Sequence, residues 1–256
     1  MSITIQTVQT VWIDANPSFK RFHQRLLRCL TRLEAIACWE YQQELDEPCS
    51  LDIALSLLHD YLKNLSRPVN LIGHGTGGLL GLLYARKYPH RVKSLTLLGV
   101  GYHPAVDWQA HYYASRKLLP CSQNLVLAQM VQKLFGYQNR YNTKGLIKIL
   151  QQDLKTSPSP HSLYQQVSLP TGGVIAPMMV CGGEHDSIID FNSLSGWLSY
   201  FREYDVIWEC PQGCHFFHFF FPDKTSRQII KFWDSLAKLN VSSQTKVRKE
   251  TCEQLS

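Results

Sequence analysis

Residues Val69–Tyr84 read VNLIGHGTGGLLGLLY. An apolar run, a cluster of glycines and a second apolar run spell a strand, a tight turn and a helix. Glycine tolerates the unusual φ and the close backbone approach that such a turn demands. One use for the turn is dinucleotide binding, since Gly73, Gly75 and Gly78 form G-x-G-x-x-G. That use needs an acidic residue about 20 positions on, at the end of the next strand. The next strand, within KSLTLLGVGYHP, ends without one, and Asp107 lies beyond a proline.

Outward from the turn, apolar β-branched runs alternate with helical patterns. Strands are predicted near Val8–Ile13, Ala35–Trp39, Val69–Ile72 and Lys93–Leu98, with helices over Ser18–Leu33, Leu51–Leu65 and Gly77–Tyr88. The alternation resumes with APMMVCGG, a helix around Phe191–Phe201, the strand YDVIWEC and a closing helix over Asp223–Leu239. Such βαβα order predicts an α/β fold, a mostly parallel sheet with helices on both faces. The intervening segment is strand-poor and carries helical stretches such as LVLAQMVQKLF and TKGLIKILQQDL.

Gly73-His74-Gly75-Thr76-Gly77 matches the nucleophile elbow G-x-S-x-G with glycine in the serine's place. Here the chain resembles the α/β-hydrolase superfamily, most of all its G-H-S-x-G-G members, whose elbow helix ends much like YARKYPHRV and leads into a strand. The resemblance runs in order from about Thr10 to Leu239. PMMVCGGEHDSII looks like the family's strand followed by G-x-x-D, which implies Asp186 in the place of the triad acid. CPQGCHFFHFFFPD looks like its G-x-H-x-x-H-x-x-x-P segment, which implies His215 in the place of the base. The implied organisation is a core over residues 1–102, a helical lid over 103–170, the rest of the core over 171–239 and a disordered polar tail over 240–256.

The departures fall where the chemistry is done. Gly75 has no attacking oxygen, and loss of a triad serine costs on the order of a million-fold in turnover. Where the family has a His-Gly pair after the first strand, this chain has Asp14-Ala15, and a carboxylate there repels an oxyanion. Asn16-Pro17 reads as the cap and first turn of the following helix. The family's glycine-rich loop after the second strand is replaced by EYQQELDEPCS. Thr76 follows the nucleophile place, where its backbone N–H rather than its side chain serves, and His74 is a residue type common in the family.

Composition fits an ordinary globule: 256 residues, 45% hydrophobic and 18% charged. No apolar run approaches the roughly 20 residues of a membrane span, and MSITIQTVQTVWID has no leader pattern, so a cytoplasmic protein is expected. Its eight cysteines are then expected as thiols. Cys210, Cys214, His215 and His218 have no standard zinc spacing, so neither metal nor cofactor is expected.

A net charge of +6 permits an acidic partner without demanding one, and nucleic acid is not expected. Arg21, Arg25, Arg28 and Arg32 form one basic stripe opposite Phe22, Leu26, Leu30 and Leu33. The stripe is either a solvated face or a docking surface for an acidic protein or an anionic headgroup, so peripheral membrane contact stays open. HFFHFFF, taken as extended, cannot turn all its rings to one core.

These residues lead to the expectation of a non-catalytic hydrolase-fold protein that binds a protein partner or a small apolar ligand beneath the lid. The alternative is an enzyme that uses the Asp186-His215 dyad as a general base without a serine.

Overall fold

The computed structural model describes the backbone of residues 8–43 and 50–253. Six strands form one parallel sheet: β1 (Thr10–Asp14), β2 (Ile36–Glu40), β3 (Val69–His74), β4 (Val92–Leu98), β5 (Met178–Gly183) and β6 (Val206–Cys210). Their order is β2-β1-β3-β4-β5-β6, so the chain reverses its direction of growth between β1 and β3. The carboxyl ends at such a reversal splay apart and leave the crevice in which α/β proteins place their sites. The turn at Gly75 leaves β3 at that crevice.

Strand residues alternate between two cores, as the two-residue period requires. Trp12, Ile72, Leu98 and Met179 point to one face. Covering them are α1 (Lys20–Leu30) and α9 (Pro222–Glu253), through Leu26, Leu30, Ile229 and Phe232. Val11, Ile13, Leu71, Leu97 and Val180 point to the other face, beneath α2 (Leu51–Leu62) and α3 (Thr76–Lys87). Both faces being dry, the strands read as continuous apolar runs. Each fully buried leucine there contributes about 1.5–3 kcal/mol.

Between β4 and β5 the chain inserts α4 (Trp108–Leu118), α5 (Gln123–Phe135) and α6 (Arg140–Thr156). α4 adds to the two helical stretches expected in this segment, and Asp107 caps it, its carboxylate accepting from Ala110 N at 2.8 Å. α7 (Phe191–Ser195) continues as a 3-10 turn over Gly196–Tyr200, where one regular helix was expected.

Four further expectations are corrected. The first helix ends at Leu30, so Leu33 lies past it and is 69% exposed rather than facing the core. Asn16 precedes a 3-10 turn with Pro17 in first place as predicted, but its side chain caps nothing and turns to the insertion instead. HFFHFFF is not extended: α8 (Phe217–Phe220) winds it, which buries Phe216, Phe217 and His218 and leaves Phe220 exposed. The stretch read as a disordered tail from 240 continues α9 to Glu253, because no glycine or proline after Pro222 stops the helix. Of the loop EYQQELDEPCS, residues 44–49 lie outside the described residues, as do residues 1–7.

Among the described residues no helix is long and apolar enough to cross a membrane.

Candidate functional site

Gly75 joins β3 to α3 with φ +52° and ψ −121°, a conformation that strains any residue bearing a Cβ. A Cβ placed on Gly75 would meet nothing within 4 Å, so the room for a side chain persists although the side chain does not. Gly73 is required by close approach: its Cβ would stand 2.5 Å from the Gly77 carbonyl carbon. The glycine pattern thus keeps the strand-to-helix turn, with Gly75 at the position where the resemblance expects a serine.

Asp186 follows β5 and His215 lies between β6 and α8. His215 Nδ1–H donates to Asp186 Oδ2 at 2.8 Å, with both residues buried. Asp186 Oδ1 accepts from the backbone of Ile188 at 2.8 Å and of Ile189 at 3.0 Å, which fixes the carboxylate and hence the imidazole tautomer. The ring faces Gly99 at the end of β4; a Cβ on Gly99 would come within 3.0 Å of both His215 Cε1 and His74 Nε2.

The space over Gly75 is small. It measures about 10 Å³, lined by Gly75, Thr76, Gly99, Pro104, Val106 and Asp107 among others. One water fills such a volume. Asp107 is half-buried, and its carboxyl is pushed up by desolvation, against the pull of His161 and of the N–H groups at the start of α4. Sequence reasoning met Asp107 only as a failed ribose ligand.

Asp14 and Ala15 do not line this space. The Asp14 carboxylate turns to the backbone of its own loop, accepting from Asn16 N at 3.1 Å. Burial pushes it up to about 7, with that N–H pulling the other way. Asn16 then reaches across the insertion: its side-chain amide donates to both oxygens of Asp153 in α6. The same carboxylate accepts from Trp108 Nε1 at 3.0 Å and Gln109 Nε2 at 3.2 Å in α4. Burial holds Asp153 at about 7 despite these donors. The residue after the Asp14-Ala15 pair therefore ties the loop after β1 to the insertion.

His74 donates from Nε2 to the His215 carbonyl at 3.2 Å, and Thr76 is buried in the first turn of α3. Behind them lies a cluster that no sequence spacing announced. His23 Nδ1 and His218 Nε2 are 3.0 Å apart, and with His74 they offer nitrogen atoms within 4.8 Å of one another. Burial pushes His23 down to about 3 and holds His74 and His218 well below the usual range, so all three are neutral. Neutral imidazoles are the state that ligates metals, and among the described residues these three have the geometry to do so. His23 Nδ1 and His218 Nε2 are engaged with each other and His74 Nε2 with the His215 carbonyl, while His218 Nδ1 has no partner among the described residues. The Cys210, Cys214, His215 and His218 grouping is not the one the fold assembles.

Arg21 and Arg25 lie on α1, with guanidinium groups 4.8 Å from the Phe22 ring centre and 4.4 Å from that of Phe219. Arg28 is exposed on the same helix, and Arg32 follows its end. None of the four reaches the elbow.

A sequence profile for the alpha/beta hydrolase fold matches residues 62–128. An uncharacterized protein of Synechocystis sp. is 44% identical over 235 residues, 92% of this chain and 94% of that one. Another of Nostoc sp. is 42% identical over 226 residues, 88% and 90% of the two chains. Among solved structures, a putative lipase from Acinetobacter baumannii aligns with TM-score 0.68 at 16% identity, over 92% of this chain and 86% of that one. A membrane phospholipase A aligns with TM-score 0.67 at 18% identity, over 90% and 80%. Likeness at this identity speaks for fold alone.

Proposed function

The chain belongs to the α/β-hydrolase superfamily, and from that membership we propose that it is a non-hydrolytic member that works by binding. One observation carries the reading: the elbow presents a glycine to a space of about 10 Å³. Gly75 supplies no attacking oxygen, and the space beside it is narrow for a substrate acyl group. The Asn16–Asp153 bonds support a lid held shut over that space rather than one that opens for turnover. A small apolar ligand over the elbow fits poorly for the same reason, so binding is assigned to the outer surface, where Arg25 and Arg28 offer charge to an acidic protein. The six described cysteines are all free, which supports a reducing compartment such as the cytoplasm.

The intact Asp186–His215 pair favours a second reading, a general base acting on a small substrate without a covalent step. One experiment separates the two. A fluorophosphonate probe and short nitrophenyl esters are expected to find the protein unlabelled and inactive. Turnover that disappears in His215→Ala would refute the non-hydrolytic reading. Co-purification from the source cell then asks which partner is held.

A further inference from the structure

The arginine stripe of α1 and the aromatic run at α8 meet in one groove that the elbow does not use. It has a volume of about 590 Å³ and lies between α1, α8 and the insertion helix α6. Arg21 and Phe22 come from α1, Phe219 and Phe220 from α8, and Lys144 and Lys148 from α6. The volume falls within the range of small-molecule sites, about 300–1,000 Å³. Aromatic rings form its apolar wall. Its three cations have no carboxylate beside them among the described lining residues.

Gly145 marks the groove as a space kept open. It lies inside α6, where glycine weakens a helix relative to alanine. Close approach does not account for it, since a Cβ there would meet nothing within 4 Å. Its φ does not account for it either, because Gly145 is not among the positive-φ glycines. What a side chain at 145 would enter is the groove it lines.

We infer that this groove binds a monomeric amphiphilic anion, a long-chain carboxylate whose head meets Arg21, Lys144 and Lys148 while its chain lies on Phe22, Phe219 and Phe220. Charge complementarity selects the head, because three uncompensated cations border the groove. The aromatic wall selects the chain. A concave site of this volume suits one molecule rather than a bilayer surface. The inference concerns a second site: ester turnover bears on the elbow alone, and ligand titration bears on the groove alone.

The test titrates the whole protein with cis-parinaric acid, a fluorescent long-chain carboxylate, and with its methyl ester. Saturable binding of the acid, tighter than that of the ester, is expected. Gly145→Leu fills the groove with a better helix former, so it is expected to stay folded by circular dichroism and to bind about tenfold more weakly or worse. Lys144→Glu combined with Lys148→Glu is expected to weaken the acid and spare the ester. The inference is overturned by no saturable binding in the wild type, by undiminished binding in Gly145→Leu, or by equal affinity for acid and ester. Co-sedimentation with dioleoylphosphatidylglycerol vesicles without binding of the monomeric probe would assign the groove to a membrane and overturn it too.

Discussion

The side-chain amide of Asn16 donates to both oxygens of the Asp153 carboxylate, at 3.1 and 3.3 Å, and so ties the loop after β1 to the end of α6. Trp108 and Gln109 of α4 donate to the same carboxylate. Three elements, the loop after β1, α4 and α6, thus share one buried acid, and the insertion is held against the sheet.

Removing one donor should loosen that hold. Asn16→Ala is expected to lower the unfolding free energy by about 1–3 kcal/mol, the cost of a buried polar group deprived of its partner. Urea titration reads the loss. Amide exchange around Trp108 and Gln109 should accelerate, and unchanged protection there would mean that the network does not anchor the insertion.

The two buried acids also set a pH dependence. Asp14 and Asp153 rise from the ordinary 3.8 to about 7 on folding. Between those values the folded chain keeps protons that the unfolded chain releases. Their contribution is therefore complete below about pH 4 and is lost as pH rises through 7. The imidazoles of His23, His74 and His218 are depressed, so theirs is complete above about 6.5 and is lost as pH falls. Asp153→Asn removes one acid from the first set. The stability of the wild type relative to this variant is expected to fall between about pH 4 and pH 7. A flat or rising difference in urea midpoints would contradict the assignment.

Gly75→Ser restores the missing oxygen at a backbone cost. The side chain has room, but φ +52° strains it, and a loss of about 1–3 kcal/mol is expected. Fluorophosphonate labelling should stay weak, because the space above the elbow holds about one water. Strong labelling would show that the insertion opens.

Asp186 joins two loops whatever its chemistry. Asp186→Ala leaves His215 Nδ1 and the N–H groups of Ile188 and Ile189 without their acceptor, and a loss of about 2–4 kcal/mol is expected. A near-neutral result by thermal denaturation would mean that water replaces the carboxylate.

Much of the fold was legible because its signals are local. A strand, a glycine turn and a helix can be read at Val69–Tyr84, since a Cβ at Gly73 or a strained φ at Gly75 is decided by a few neighbouring residues. The positions of Asp186 and His215 came from order along the chain. The cap at Asp107 is equally local, an acid three residues before the N–H that it accepts. His23 carried no such signal: on α1 it looks like any helical histidine, and its neighbours His74 and His218 lie far along the chain.

By itself, then, the sequence determined the α/β alternation, the strand-to-helix turn and the glycine at its tip, because backbone conformation and residue chemistry are properties of short segments. Only the tertiary structure decided that the space over Gly75 is small, that Asn16 meets Asp153 rather than capping a helix, and that Arg21 and Phe22 share a groove with Phe219 and Phe220. Those relations depend on which surfaces pack together, and packing is settled among residues far apart in the chain.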